Sequence, residues 1–405
     1  MNELRTWLRE PNSDTFPYDA VVATFHSGGK HSVGKDVLEA LDQARSRVRE
    51  GSIAGDGTLT RFLGVALDKF DGRFDNPSYL ALDLLALPAT DTDRCPVSAT
   101  RNSVRLVLQL VTDIMHFELS ALDGTDDRLP VLRPDLRTVT KRCRLGMRIA
   151  RPAMARLGIA FDAPDTSNTL DPARQLCAVV RDDLSVAERL TLRLSILPVS
   201  LVHDEYLFIR VLQSYEATFA AVAVNLANAI QALSLGMGER ATHALASAEQ
   251  LFRDTSLLFS IVATMQPVAF LKFREYTDGA SAIQSRNYKI VESLCRTPEL
   301  SRIDSPAYLS VPSVRGRILV GQRTVDDAVA SSTDRLTVSV RESLHSAMQQ
   351  FEKSVLRWRK THHRVASRML GHRRGTGHTE GIPYLAEAKA IPIFGRCPAL
   401  ALLSA

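Results

Sequence analysis

Apolar residues recur with helical spacing through the second half of the chain and predict a series of α-helices. The most apolar run, "ATFAAVAVNLANAIQALSLGMG" over 217–238, continues a helical pattern that begins near residue 201. It is long enough to cross a bilayer, but two asparagines and a glutamine interrupt it. The pattern therefore favours a helix buried in a bundle over a membrane span.

The remainder of the second half of the chain shows the same helical spacing of apolar residues. Helices are predicted over about 240–264, from Pro267 onwards, after the turn in 277–294, and over 336–371, which ends at a glycine typical of a helix end. Residues 295–335 are rich in Pro, Gly and Ser and are predicted to be less ordered. Residues 91–195 are also helix-rich, and few segments are typical of strands. The predicted fold class is mainly α, a helical bundle with a helix-rich N-terminal extension.

One segment near the N-terminus resembles a phosphate-binding loop. The apolar run "YDAVVATF" (18–25) suggests a strand, and "GKHSVGKD" (29–36) leads from it into a helix. In such loops a Ser or Thr after Gly-Lys holds magnesium, whereas here Asp36 follows. A plain turn with a helix cap is the favoured interpretation, and phosphate binding is the weaker alternative.

Composition excludes several classes of protein. With 405 residues, 45% hydrophobic and 23% charged, the chain has the ordinary profile of a globular protein of two or three units. Its five cysteines are odd in number and widely spaced, without a C-x-x-C pair, so a zinc knuckle and a c-type haem attachment are excluded. We expect reduced thiols in a cytoplasmic protein, because no signal peptide or membrane segment is evident.

The formal charge of +5 is concentrated in one basic region, "WRKTHHRVASRMLGHRRGTGHTEG" (358–381), which also holds four of the ten histidines. Such a region can form a solvated face, bind nucleic acid, or hold carboxylates such as the propionates of a cofactor. The adjacent His362 and His363 point about 100° apart on a helix, which argues against zinc. Aromatic residues do not interleave with the charges, which argues against nucleic acid.

Five segments occur in an order that is more specific than any one of them: "HDEYLFI" (203–209), "FLKFREY" (270–276), "GASAIQSRNYKIVE" (279–292), "WRKTHHRVASRMLG" (358–371) and "RGTGHTEGIPYL" (374–385). Together they resemble the tryptophan 2,3-dioxygenase family, helical haem proteins that open the indole ring of L-tryptophan with O₂. The resemblance covers 203–295 and 336–395, extends weakly to the arm "FDNPSYLALDLL" (74–85), and does not cover 1–65 or 90–195.

The resemblance implies a haem b cofactor and a set of site residues. His362 matches the proximal iron ligand, and a neutral imidazole on a rigid helix suits that role when an acceptor holds its other N–H. Arg274 matches the arginine that binds the substrate carboxylate, where a guanidinium fork bonds bidentately. Thr376 matches a threonine that contacts the amino-acid headgroup from a closing loop.

Further positions match the walls of the family's site. Ser281 matches a small polar residue above the haem, and Phe208 an aromatic residue of the substrate pocket. Tyr79 and Leu80 match arm residues that, in the family, reach into a neighbouring subunit's site. A homotetramer is implied on the same ground.

Three departures from the family pattern concern the chemistry. The distal histidine of the family is Leu212 here, a pocket tyrosine is Phe270, and the loop "GTGHTEG" (375–381) has His, Thr and Glu in place of glycine and two serines. The distal side has therefore lost an imidazole that could steer the second oxygen atom. The predicted iron ligand, His362, and the arginine predicted to clamp the substrate carboxylate, Arg274, are retained.

The expected function is a haem-dependent oxygenase that inserts oxygen from O₂ into the ring of L-tryptophan or a related aromatic amino acid. Alternatives are a monooxygenase of a tryptophan- or tyrosine-derived amino acid in a natural-product pathway, a non-catalytic haem sensor, and a haem-free nucleic-acid binder. The expected partners exclude nucleic acid and membranes. Three parts are predicted: an extension (1–70), an arm with a helical insertion (71–200), and the haem-binding helical domain (201–395).

Overall fold

The computed structural model describes residues 2–51, 57–90, 95–162, 168, 170–277, 279–371, 373 and 381–395. Over these residues the chain is built from helices, and the β-structure they contain is one isolated bridge between Val131 and Val202. The predicted mainly α class is confirmed. The division into three parts stays a prediction.

The α-helices of the described residues are, in chain order, α1 Asn2–Trp7, α2 Tyr18–Gly28, α3 Lys35–Arg49, α4 Thr58–Ala66, α5 Asn76–Tyr79, α6 Pro96–Leu122, α7 Leu136–Leu157, α8 Asp171–Asp183, α9 Val186–Leu194, α10 His203–Ser234, α11 Gly238–Asp254, α12 Leu258–Val262, α13 Pro267–Arg274, α14 Arg286–Cys295, α15 Leu300–Ile303, α16 Pro306–Leu309, α17 Pro312–Leu319, α18 Val325–Ser332, α19 Val338–Leu370 and α20 Ile382–Ala388. Short 3₁₀ turns lie at Ser13–Thr15, Lys30–Ser32, Leu82–Leu84, Ala282–Gln284 and Thr333–Arg335.

Helix α10 is the centre of the bundle. It packs against α6, α11, α14 and α18, and α19 packs against α11. By length and composition α10 could cross a membrane, yet 78% of its most apolar window is buried inside the chain. Its apolar surface is thus covered by neighbouring helices of this protein, as the amide residues in the run predict.

The structure corrects three local predictions. The apolar run at 18–25 is part of helix α2, so the strand that a phosphate-binding loop requires is absent there. The predicted helix over 240–264 is broken after Asp254 into α11 and α12. Residues 295–335 hold four short helices, because prolines begin α16 and α17 and a Thr324–Asp327 capping box begins α18.

The N-terminal helices α1–α4 form a separate hydrophobic cluster, which also takes in Leu194 and Leu197 from the segment before α10. We call α1–α4 the N-terminal unit and residues 194–200 the anchor segment. The Lys30 N–H donates to the Pro198 carbonyl at 2.9 Å, and Nε2 of the buried His26 lies 2.8 Å from the Ile196 carbonyl. The unit is therefore fixed to the chain directly before α10.

Two details make this attachment tight. Gly29 has a φ of +78°, and a Cβ there would lie 2.5 Å from the Val199 carbonyl oxygen, so the close approach requires glycine. Lys30 Nζ lies 2.8 Å from Asp68 Oδ2, with both side chains 1% exposed, and donates to the Val65 carbonyl at 3.0 Å. This buried ion pair joins the turn after α2 to the end of α4.

Replacing Lys30 with methionine should destabilise the N-terminal unit, because Asp68 then keeps a buried charge without its cation. We expect the free energy of unfolding to fall by roughly 3–5 kcal/mol. The double variant Lys30→Met/Asp68→Leu should recover part of that loss. Urea unfolding of the four proteins of the cycle measures both effects.

Lys35→Met is the matched control. Lys35 pairs with Glu39 at 3.3 Å, but the two side chains are 84% and 51% exposed. Its removal should change the free energy of unfolding by less than about 1 kcal/mol. An equal loss in Lys30→Met and Lys35→Met would contradict the importance of the buried pair.

Candidate functional site

One cavity brings together the predicted site residues that the structure describes. It has a volume of about 240 Å³ and lies among α10, α13, α14, α19 and α20. Seven predicted residues line it: Tyr79, Leu80, Phe208, Leu212, Arg274, Ser281 and His362. They come from five separate stretches of the chain. Thr376 and its loop residue His378 lie outside the described residues.

His362 is presented to the cavity by the last turns of α19. Its ring lies nearly parallel to that of Phe259, with the centroids 5.5 Å apart and the planes at 13°, and 5.4 Å from the ring of Trp358 one turn earlier. Burial lowers the pKa of His362 to about 4. The imidazole is therefore neutral at neutral pH, which is the protonation state a metal ligand needs.

Neither ring nitrogen of His362 has a hydrogen-bond partner in the described part of the chain. The acceptor that we predicted for its second nitrogen is therefore not found among those residues. A neutral imidazole in a cavity with an unused nitrogen lone pair is available as a single axial ligand. His363 lies outside the residues that line this cavity, in agreement with its prediction as an ordinary helix residue.

Arg274 lies at the C-terminal end of α13, which Pro267 begins. The adjacent Phe273 is fully buried and fixes the end of this short helix, and the Thr277 hydroxyl donates to the Arg274 carbonyl at 2.9 Å. Burial, and secondarily the charge of Arg373, lowers the pKa of Arg274 from its ordinary value. A cation that is partly removed from water in this way favours an anionic ligand.

The wall between α10 and α13 is aromatic. The ring of Phe208 lies 5.7 Å from that of Phe270 and 5.3 Å from that of Phe273. Leu212 follows one turn after Phe208 on the same face of α10. Among the described residues that line the cavity, the one histidine is His362, so this wall offers no second imidazole.

Ser281 lies on the loop between α13 and α14. Its side chain caps the turn at Ala282–Gln284, and Gln284 Oε1 accepts the Ser281 N–H at 3.1 Å. The same oxygen accepts the N–H of Asn76, the first residue of α5 in the arm, at 2.9 Å. Tyr79 and Leu80 of the arm also line the cavity. The role at a neighbouring subunit's site that the resemblance implies for them stays a prediction.

The sequence analysis missed Glu216, a buried residue of α10 that also lines the cavity. Its Oε2 accepts from Asn287 Nδ2 at 3.0 Å, and no Lys or Arg of the described residues pairs with it. Burial raises its pKa to about 7. Its spacing of four residues from Leu212 could have revealed it, since such residues share a helix face.

The sequence analysis also missed a buried charge cluster at one end of the cavity. The Glu292 carboxylate forms ion pairs with three cations: Lys289 Nζ at 2.9 Å, an Arg302 nitrogen at 2.8 Å and an Arg359 nitrogen at 2.6 Å. These cations hold the pKa of Glu292 far below its ordinary value. Three cations and one carboxylate leave two positive charges without a counter-charge within the cluster. Arg359 belongs to the basic region noted in the sequence and precedes His362 by three residues.

Comparison with known proteins agrees with this arrangement. A family model described as tryptophan 2,3-dioxygenase matches residues 182–308. A tryptophan 2,3-dioxygenase of a Nocardioides species is 30% identical over 212 residues, which are 45% of this chain and 79% of the relative. The enzyme of Bradyrhizobium diazoefficiens is 26% identical over 232 residues, 49% of this chain and 83% of the relative.

The class of protein follows from two observations. A histidine and an arginine line one cavity of an all-α bundle, and the sequence has this degree of similarity to known enzymes. The chain belongs to the tryptophan 2,3-dioxygenase family. It is therefore a haem-dependent oxidoreductase of the dioxygenase type.

The residues of the cavity fit a haem. His362 offers one neutral nitrogen, the apolar wall suits a porphyrin face, and the cluster of Lys289, Arg302 and Arg359 has excess positive charge for two carboxylates. In the described part of the chain no group of three or more His, Cys, Asp or Glu could hold a metal ion by itself. A single axial histidine does not require such a group, because the porphyrin supplies the other ligands.

The raised pKa of Glu216 makes its contribution to stability depend on pH. Its ordinary value is 4.5 and its folded value about 7, so the folded state binds this proton more tightly than the unfolded state. The contribution of this proton to the free energy of unfolding is complete below pH 4.5 and is lost as the pH rises through 7. The loss amounts to roughly 3 kcal/mol. Relative to the wild type, Glu216→Gln should therefore gain stability between about pH 5 and pH 8, as urea unfolding at several pH values would show.

Glu292→Gln provides a control of opposite sign. Because the folded pKa of Glu292 is depressed, its contribution is present above the ordinary value of 4.5 and is lost as the pH falls. The free energy of unfolding of Glu292→Gln should therefore rise relative to that of the wild type as the pH is lowered. If the relative stability of Glu216→Gln did not change with pH, the neutral state of Glu216 would be contradicted.

Proposed function

We propose that this protein is a haem-dependent oxygenase that adds oxygen from O₂ to the ring of L-tryptophan or a closely related aromatic amino acid. The observation that carries the proposal is the single cavity in which a neutral His362 and the Arg274 guanidinium meet an aromatic wall. The relatives named tryptophan 2,3-dioxygenase support the same substrate class.

The cofactor would be held at two places. His362 would provide a nitrogen to the iron, while Lys289 and Arg302, which line the same cavity, would offer positive charge to the carboxylates of the porphyrin. When bound, haem supplies the activation of O₂ that an amino-acid side chain cannot provide. The protein contributes the position of the substrate and a water-poor environment.

The substrate would be oriented by its two ends. Arg274 would donate two parallel N–H···O bonds to the substrate carboxylate, which would fix both its position and its rotation. Thr376, which the resemblance assigns to the headgroup, would add a contact from its loop. Phe208 and Phe270 pack against the aromatic ring and exclude water, so the ring is held for reaction without a covalent link to the protein.

Leu212 supports a second candidate, a monooxygenase of the same substrate class, which would require an external two-electron donor to reduce the second oxygen atom to water. A leucine cannot donate or accept the proton that would steer the second oxygen atom. The oxidation of an indole or phenol ring requires no strong base, so reaction remains chemically feasible. Mass spectrometry of the product formed under ¹⁸O₂ separates the two: incorporation of two labelled atoms supports the dioxygenase and one labelled atom the monooxygenase.

Haem binding through His362 is tested by the absorption spectrum of protein from haem-supplemented cells. The wild type should show a Soret band that is lost in His362→Ala, because the iron then has no axial nitrogen. His363→Ala is the matched control and should retain the band, since the adjacent side chain points elsewhere. A colourless wild type, or a band unaffected by His362→Ala, would refute the assignment.

The role of Arg274 is tested in the haem-loaded protein. Arg274→Ala should weaken L-tryptophan binding by about 10- to 100-fold, in line with the loss of a charge-assisted bidentate contact. Arg274→Lys should recover little of it, because an ammonium cannot make two parallel bonds. The shift of the Soret band on titration with tryptophan gives the dissociation constant. Unchanged affinity at unchanged haem content would contradict the clamp.

A further inference from the structure

The outer face of α19 is cationic over its second half. From residue 353 to the end of the helix, the exposed side chains are all Lys or Arg, three or four residues apart: Lys353, Arg357, Lys360, Arg364 and Arg368. None of the five forms an ion pair within the described part of the chain. Like charges at this spacing destabilise a helix, so the stability of α19 does not explain the pattern.

Helix α7 carries a second row of the same kind. Its exposed cations follow the same spacing: Arg137, Lys141, Arg144, Arg148 and Arg151. Among the residues that the structure describes, these five also have no carboxylate partner, although Arg151 lies over the ring of Phe161 at 5.8 Å. We call the two rows the α19 stripe and the α7 stripe.

The two stripes border the same short helix, α12, which packs against both α7 and α19. Directly after α12, Arg142 Nε of α7 donates to the Thr264 hydroxyl at 2.8 Å, and Arg368 Nη1 of α19 donates to the Ala263 carbonyl at 2.8 Å. Neighbouring helices pack 8–10 Å apart, so the axes of α7 and α19 lie within about 20 Å of each other. We call the surface with both stripes the basic face.

His362 lies behind this face. Lys360 and Arg364 are two residues before and after it, and two residues turn a helix by about 200°, so their side chains point away from the cavity that His362 lines. The Phe259 ring of α12 stacks on the His362 ring from the same direction as the two helices that carry the stripes. A helix with its side chains is about 10–12 Å across. A molecule seated on the basic face is therefore roughly one helix diameter from His362.

Exposed apolar side chains lie at the same end of the basic face. Leu136 of α7 is 57% exposed and Val268 of α13 is 55% exposed, and both are within six residues of the Arg142–Thr264 bond. An apolar centre with a charged rim is typical of a protein–protein interface. A phosphate backbone offers no partner to such apolar side chains, and the stripes contain no aromatic residue on which bases could stack.

A membrane is a poorer fit to this surface. Helices that lie on a bilayer insert a continuous apolar face between the lipids. The apolar face of α19 is instead buried in the bundle, where Leu344, Phe351 and Val355 are fully enclosed. The exposed face offers only charge over its second half. Charge and apolar contacts together favour an acidic protein as the partner.

From this placement we infer that the basic face docks an acidic electron-carrier protein, and that α19 separates the docked carrier from the haem that His362 would bind. In each encounter the reduced carrier loses one electron and ferric iron gains it, which gives the ferrous state that binds O₂. In the monooxygenase candidate, two such transfers and two protons from water reduce the second oxygen atom to water. The destination of the electron rests on the proposed function, whereas docking of an acidic protein does not.

Docking is tested with the full-length, haem-loaded protein and an acidic ferredoxin that carries a two-iron, two-sulfur cluster. Isothermal titration should show binding that weakens steeply as the salt concentration rises, because the stripes attract the carrier through charge. Absence of binding at low salt would overturn the inference. Equal or tighter binding of a duplex DNA fragment would also overturn it, and would assign the basic face to nucleic acid.

Charge reversal identifies the surface involved. The double variant Lys141→Glu/Lys360→Glu changes one residue of each stripe and should weaken ferredoxin binding by about 10-fold or more at low salt. The fold should be retained, because each new glutamate faces arginines on its own helix. The matched control is Arg47→Glu/Arg49→Glu, which reverses two exposed charges on α3 of the N-terminal unit.

Equal binding by the stripe variant and the wild type would contradict the assignment, as would an equal loss in the α3 control. The oligomeric mass of each protein is measured by light scattering. A change of mass confined to the stripe variant would assign the basic face to contacts between copies of this chain and would overturn the inference.

Electron transfer is measured separately from docking. Under carbon monoxide, the shift of the Soret band reports the rate at which reduced ferredoxin reduces the ferric haem. The stripe variant should be reduced about 10-fold more slowly at low salt, while its reduction by a small-molecule reductant stays at the wild-type rate. Equal slowing with both reductants would mean that the variant had altered the haem site, and would refute the docking role.

These measurements also separate the inference from the proposed function. A wild type without haem would refute the function, yet titration with ferredoxin would still show whether the basic face binds an acidic protein. A haem-loaded protein that oxidises tryptophan but does not bind ferredoxin would refute the docking inference alone.

Discussion

The burial of α10 is the constraint on which the rest of the structure depends. A helix enclosed on nearly every face cannot leave its polar side chains to water, so each needs a partner from a neighbouring element. The Arg210 guanidinium bonds to Asp113, Ser195 and Gln213, while Asp204 pairs with Arg142 of α7. These bonds fix how α6, α7 and the anchor segment lie around α10, and therefore where the cavity opens.

The cavity has two chemically different ends because it lies between two kinds of packing. Toward α13 the surroundings are aromatic and one guanidinium interrupts them, which suits an amphipathic ligand with a carboxylate. Toward α14 and α15 three cations gather around Glu292, which suits a ligand with several negative charges. His362, on α19, lines the same cavity. Under the proposed function, the second environment would serve the cofactor and the first the amino acid.

Much of this site could be predicted from the sequence, because ordered motifs carry information that single residues do not. Helical periodicity located α10, α13 and α19, and the motifs placed His362 and Arg274, which the structure brings to one cavity. The run at 18–25 was predicted wrongly because a short apolar segment fits a buried strand and a buried helix equally well. The cluster around Glu292 and the path of the arm were not predictable, since both depend on contacts between distant segments.

The excess positive charge around Glu292 has a consequence for the amount of protein in the cell. If the proposed cofactor binds at this cluster, the chain without it keeps mutually repelling cations in a buried space, and the cofactor stabilises the folded state over the unfolded one. Folding and cofactor supply are then linked, since such a ligand raises stability in proportion to the logarithm of its concentration. When haem is scarce, a larger fraction of newly made chains would unfold and be degraded, so abundance would follow haem synthesis.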